Sequence, residues 1–150
     1  MQKLVCGPRQ SGRTTYLAKY IAEKVKEGGG GRITVTSPAF IRTRNLLRMV
    51  KSLLEGCDVK DTPSSYTIVF NGWTIYGLLL GDSDKIRATR PDMLVIDDYD
   101  ECEVPHRDNI IYGYAAISIG TPSTLLASCL SNSPTHYLWA TYHEVEELNG

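Results

Sequence analysis

No apolar run in this chain approaches the roughly 20 residues that a membrane-spanning helix needs. The opening Met1-Gln2-Lys3-Leu4-Val5-Cys6-Gly7 is too short and too soon broken for a secretory signal. Neither charge sign dominates: 16 Lys and Arg face 17 Asp and Glu, so bulk charge does not mark a generic polyanion binder. Cys6, Cys57, Cys102 and Cys129 are scattered, with no C-x-x-C pair. That spacing speaks against a zinc site or disulfide framework and for reduced thiols in a cytoplasmic protein. His106, His136 and His143 lack metal-ligand spacing and read as surface residues. There is no internal repeat, and no nucleophile-elbow sequence to support a hydrolase triad. What remains is 150 residues, 42% apolar and 22% charged, the composition of one globular domain. A chain of this length buries roughly two-thirds of its unfolded surface, enough for a core without staples.

Lys3–Cys6 is a short apolar strand running straight into glycine. From Thr14 to Lys26, Leu17, Ile21 and Val25 recur at helical spacing, and Gly28–Gly31 stops that helix. Ile33–Thr36 is a β-branched strand that ends at Ser37-Pro38. From Ile41 to Leu54, the residues Leu46, Leu47, Val50, Leu53 and Leu54 form one helical stripe. Asn71-Gly72 between the β-rich runs 65–70 and 73–80 predicts a hairpin, because a type I′ turn needs positive φ at both positions. Met93–Ile96 and Ala115–Ile119 are buried strands, and Leu138–Tyr142 is a candidate last strand. The order predicts an α/β fold: a mainly parallel central sheet between helical layers, with an added antiparallel hairpin. In such sheets ligands bind at the carboxyl ends of the strands. Gly7–Thr15, Ser37-Pro38, Asp97-Asp98 and Gly120-Thr121 should therefore share one crevice.

The segment Gly7-Pro8-Arg9-Gln10-Ser11-Gly12-Arg13-Thr14-Thr15 fits the phosphate-loop pattern G-x-x-x-x-G-K-[ST] with one departure, Arg13 in place of Lys. A strand delivers the chain into a glycine-bounded turn and a helix follows at once. Backbone N–H groups and the helix terminus then face a phosphate. All nine residues are candidate nucleotide contacts, and the Thr14 hydroxyl is placed to reach Mg²⁺. A guanidinium is larger, planar and forked, so Arg13 neutralises phosphate differently from an ammonium.

Met93–Ile96 ends in Asp97-Asp98. In phosphate-loop enzymes the first such carboxylate supports Mg²⁺ and the next acid orients the attacking water. Asp97 takes the first role and Asp98 the second, where many such enzymes carry Glu. Asp100 and Glu101 lie close behind. The plain alternative is a strand capped by a solvated acidic loop. Arg42, Arg44, Arg48 and Lys51 form a basic run with no acid between Arg32 and Glu55. Arg44, Arg48 and Lys51 share one helical face, which is either a ridge for DNA phosphates or a solvated surface.

Taken in order, these motifs resemble the ATPase domain of viral large terminases, the motors that package DNA into phage capsids. Arg9-Gln10-Ser11-Gly12-Arg13-Thr14-Thr15 looks like the terminase form of the phosphate loop. The Asn71-Gly72 hairpin, the segment Arg87-Ala88-Thr89-Arg90 and then Val95-Ile96-Asp97-Asp98 follow the family's order. Ile119-Gly120-Thr121-Pro122 resembles its coupling motif, and Trp139 sits near the end as it often does there. The resemblance implies a RecA/ASCE-like three-layer P-loop NTPase with a strand added between the two nucleotide motifs. It implies Mg²⁺-dependent ATP hydrolysis coupled to translocation of double-stranded DNA. The expected assembly is a homo-oligomeric ring on a portal vertex, in the host cytoplasm and away from membranes. Carried over by residue, Arg9 contacts the γ-phosphate, Thr121 senses it, and Arg87 or Arg90 reaches into a neighbouring subunit. No separate acid cluster supports DNA cleavage, so a single ATPase domain over residues 1–150, without a nuclease, is expected. A helicase-like ATPase needing a partner half, or a nucleotide-binding assembly module without turnover, are the alternatives.

Overall fold

The computed structural model describes residues 2–8, 11–102, 124–129 and 144–148. Strand β1 (Gln2–Cys6) leads through the glycine turn into helix α1 (Arg13–Lys26). Strand β2 (Gly31–Thr36) precedes α2 (Phe40–Ser52), and β3 (Asp58–Thr62), β4 (Ser65–Phe70) and β5 (Trp73–Leu78) form a meander. A short α3 (Ser83–Ala88) leads to β6 (Met93–Ile96) and a 3₁₀ turn at Tyr99–Glu101. Strands β7 (Thr124–Cys129) and β8 (Glu144–Glu147) complete the described elements.

All eight strands form one sheet, in the order β3-β4-β5-β2-β6-β7-β1-β8. Pairing is parallel from β5 through to β8, and antiparallel only between β3, β4 and β5. The mainly parallel sheet with an antiparallel addition is the predicted fold. Strand β7 lies between β1 and β6, so the glycine turn and Asp97 sit one strand apart on a common edge.

Side chains alternate across the sheet, which splits the core in two. Val5, Ile33, Val35, Ile75, Val95 and Leu126 pack under Leu17, Ile21 and Val25 of α1 and Leu46, Leu47 and Val50 of α2. Leu4, Leu94, Ile96 and Ala127 face the other way, against Ile86 of α3 and Tyr99. No helix among the described residues is long and apolar enough to cross a membrane.

The hairpin turn forms as expected, with φ of 52° at Asn71 and 81° at Gly72. It also caps α1. Asn71 Nδ2 donates to the Val25 carbonyl at 2.9 Å and Trp73 Nε1 to the Gly28 carbonyl at 3.1 Å. Both bonds tie the carboxyl end of α1 and the residues just after it to the hairpin. None of the four cysteines is in a disulfide. Cys6 and Cys129 meet at 3.3 Å in the core, and this mutual hydrogen bond, with burial, pushes the Cys6 thiol well above its ordinary range.

Two departures concern strands. β3 was not expected: Asp58-Val59-Lys60-Asp61-Thr62 carries one aliphatic residue, and its pairing to β4 makes it a strand. The expected strands Ala115–Ile119 and Leu138–Tyr142 lie outside the described residues. The strands flanking β1 are Thr124–Cys129 and Glu144–Glu147, neither of which was foreseen.

Tyr16 ties β8 to β1 through α1. Lys3 Nζ lies 2.6 Å from both the Tyr16 hydroxyl and Glu146 Oε2, and Tyr16 also donates to Glu146. The bonds from Lys3 and Tyr16 hold the Glu146 carboxyl below its ordinary range. Burial alone would lower Lys3, but its bonds to Glu146 and Tyr16 outweigh it and raise it. A depressed carboxyl contributes stability above its unfolded pKa, and loses it as pH falls through the folded value. A raised Lys contributes below its unfolded pKa, and loses that contribution at strongly alkaline pH. Denaturant midpoints measured from neutral pH down to pH 3 should therefore fall more steeply in the unmodified chain than in Glu146→Gln. Parallel curves would contradict the linkage.

Candidate functional site

The site starts at the end of β1. Gly7 N donates to the Cys129 carbonyl at 3.3 Å, and Ser11 N to the Pro8 carbonyl at 3.2 Å, which turns the chain back. A side chain on Gly7 would run into Ser11 and approach the Leu148 Cβ to 3.2 Å, so the turn closes only around glycine. Gly12 sits at φ 88°, a conformation that favours glycine, and starts α1. No side chain caps that helix and its first turn holds no acid. Its free N–H groups and positive dipole end therefore face the turn, the arrangement that receives phosphate.

Thr14, in the first turn of α1, donates from Oγ1 to Asp97 Oδ2 at 2.9 Å. Asp97 follows β6 and is 1% exposed. Its other oxygen accepts from Ser128 Oγ at 2.6 Å and from the Asp98 N–H at 3.1 Å. Burial, reinforced by the charge of Asp98, pushes the Asp97 carboxyl upward; bonds from Ser128 and Thr14 and the charge of Arg13 oppose this. A buried carboxylate short of positive charge, beside a hydroxyl, is an all-oxygen donor set that fits Mg²⁺.

Asp98 has a left-handed backbone, φ 51° and ψ 52°. Its N–H also meets Ser128 Oγ at 2.8 Å. Its carboxylate lies between two guanidinium groups: Arg13 Nη2 is 3.4 Å from Oδ1 and Arg42 Nη1 is 3.0 Å from Oδ2. Arg42 further pairs with Glu101. Two polar atoms here, Arg13 Nη1 and Ser11 Oγ, are buried and have no hydrogen-bond partner among the described residues. Unpaired buried donors cost on the order of 1–3 kcal/mol each.

The structure thus brings together Gly7, Pro8, Ser11, Gly12, Arg13, Thr14, Thr15, Asp97 and Asp98. Arg9, Gln10 and Thr121 lie outside the described residues. β7 runs parallel to β1 and β6, so its end on the site's edge is Cys129, and the chain that follows it there is also undescribed. Arg87 belongs to α3, and its side chain lies outside the described residues. Arg90 follows α3, next to Thr89, whose hydroxyl bonds Thr34 in the middle of β2 at 2.6 Å. Arg90 is not gathered into the site.

Sequence reasoning missed Ser128 and misplaced Arg42. Ser128 gives no signal in an apolar run until β7 is set beside β6. Arg42 was grouped with the basic run, yet Ser37-Pro38 at the end of β2 already places the start of α2 at the crevice. The rest of that run is not a free ridge. Arg44 Nε lies 3.3 Å from Asp61 Oδ1, Arg44 Nη2 donates to the Thr62 carbonyl at 2.8 Å, and its guanidinium covers the Phe40 ring. Arg48 lies 3.4 Å from the same Asp61. These two residues fasten β3 to α2, and Lys51 remains exposed.

No family model and no curated protein matches the chain by sequence. Solved structures match its fold. One is the large terminase of a thermophilic bacteriophage, with a TM-score of 0.69 and 18% identity over 99% of this chain. The same terminase in complex with ADP gives 0.66 and 20% over 98%. The N-terminal domain of the DNA packaging ATPase from bacteriophage phi29 gives 0.63 and 12% over 100% of this chain and 90% of that one. The chain spans 40% of the thermophilic phage terminase. Its fold is therefore that of phage packaging ATPase domains, as the ordered motifs implied.

Proposed function

We propose that this chain is a Mg²⁺-dependent ATPase domain, residues 1–150, of a motor that drives double-stranded DNA into a viral capsid. The observation that carries this reading is the 2.9 Å contact of Thr14 with buried Asp97, next to Arg13, one donor of which has no partner among the described residues. Similarity to a terminase bound to ADP supports a nucleotide in that turn.

Thr14 and Asp97 would hold Mg²⁺, which when bound supplies positive charge to the phosphate oxygens. The backbone from Gly7 to Thr15 cradles the phosphates, and Arg13 with Arg9 neutralises their charge. Asp98 orients the attacking water. Arg13 and Arg42 hold its carboxylate in place from two sides, which suits it to positioning that water. Phosphoryl transfer needs this: it is mainly alignment and charge stabilisation. Arg87 or Arg90 as a finger into the next subunit, and a ring on a portal, complete the reading. A trans-acting arginine is worth about 10³–10⁵ in rate where one exists.

Steady-state ATP hydrolysis with Mg²⁺, across protein concentration and with or without double-stranded DNA, tests it. Turnover should rise with both. ATP bound but not hydrolysed under every condition would leave a nucleotide-binding assembly module instead.

A further inference from the structure

We propose that Arg13 and Asp98 act as a matched pair, in which one arm of the guanidinium holds the carboxylate while the other takes a phosphate oxygen of the nucleotide. This rests on the function proposed above and says how its two unusual residues divide the work.

The geometry supplies both arms. Nη2 lies 3.4 Å from Asp98 Oδ1, while Nη1 of the same group is buried and has no partner among the described residues. The side chains are 13% and 16% exposed, so water does little to screen the pair. The carboxylate cannot follow a shorter cation. Arg42 holds Oδ2 at 3.0 Å, and the Asp98 N–H is tied to Ser128 Oγ at 2.8 Å.

The two departures, Arg13 in the phosphate loop and Asp98 in the acidic motif after β6, are opposite in length. Arginine reaches about one bond further than lysine and presents separate donors in a plane, where an ammonium is one point. Aspartate is one methylene shorter than glutamate. A long cation and a short anion together keep the span between α1 and the turn after β6. Arg13→Lys alone must give up either the carboxylate or the phosphate. Asp98→Glu alone pushes a carboxylate into the space of the phosphate-binding arm. Changing both restores the summed length.

The test is a double-mutant cycle on the full chain: unmodified, Arg13→Lys, Asp98→Glu and Arg13→Lys/Asp98→Glu. Thermal melts confirm that each is folded, and each is assayed for ATP affinity and for Mg²⁺-ATP turnover. Each single variant should lose at least about tenfold in turnover, with the double recovering to within about threefold of the unmodified chain, the non-additivity expected of residues in contact. Affinity should show the same recovery, which keeps the cycle decisive in a chain that binds without hydrolysing. Losses that simply multiply in the double variant, or single variants that lose nothing, overturn the pairing while the proposed function stands. An unmodified chain that binds no ATP overturns both.

Discussion

Replacing Asp97 by Asn should remove turnover and leave the metal-free protein no less stable. The two effects have one cause. Asp97 is 1% exposed, and burial together with the neighbouring charge of Asp98 raises its carboxyl pKa. An acid whose folded pKa is raised binds its proton more tightly in the native state. Its ionised form therefore costs stability at neutral pH, and the cost fades as pH falls through the folded value. Asparagine is nearly isosteric and uncharged, and the Thr14 and Ser128 hydroxyls can rotate to donate or accept as it requires. The melting temperature without Mg²⁺ should stay level or rise. Turnover should fall by at least about a hundredfold, the scale of losing one strong electrostatic contact to a transition state. Added Mg²⁺-ADP should stabilise the parent, and that stabilisation should shrink in the variant. A variant that melts lower without metal would mean that the charge is compensated in the apo fold and that Asp97 is a structural acceptor. Retained turnover would remove Asp97 from the metal site. A site residue whose removal stabilises the fold marks function held against stability.

What the sequence made legible follows from how local each feature is. β1, the glycine turn and α1 are adjacent along the chain, so the motif and its helix emerge together, down to Gly12 at positive φ. The Asn71-Gly72 turn needs only two residues. Asp97 shows itself as the first polar residue after four buried ones. Features set by pairing across the sheet were hidden. Asp58–Thr62 becomes a strand because Ile68 and its neighbours on β4 offer an edge and because Arg44 and Arg48 converge on Asp61. Ser128 matters only because β7 is inserted between β1 and β6, an order no local pattern encodes. Arg42 shows that helical periodicity sorts residues by face but not by the turn of helix that reaches the site.

The packing that brings Arg42 to Asp98 gives the second large effect. Gly77 lies on β5, directly under α2. A Cβ there would stand 2.5 Å from Leu47 Cδ1, 3.0 Å from Thr43 Cγ2 and 3.2 Å from the Tyr66 carbonyl. Glycine within a strand marks such a close approach. Leu47 and Thr43 are both fully buried, and Thr43 is further held by its hydroxyl bond to Ser37 at 2.7 Å, so neither side has slack. Gly77→Val should cost about 1–3 kcal/mol in denaturant unfolding, the range for overfilling a packed core. It should also weaken turnover, because lifting α2 from the sheet draws Arg42 from the carboxylate it holds. Leu47→Ala opens space at the contact that a Cβ on Gly77 would fill. Gly77→Ala combined with Leu47→Ala should therefore be more stable than the two single losses predict, by the roughly 0.5–3 kcal/mol typical of contacting residues. Strict additivity would mean that α2 is held by the rest of its stripe, and that the position of Arg42 does not depend on the missing side chain of Gly77.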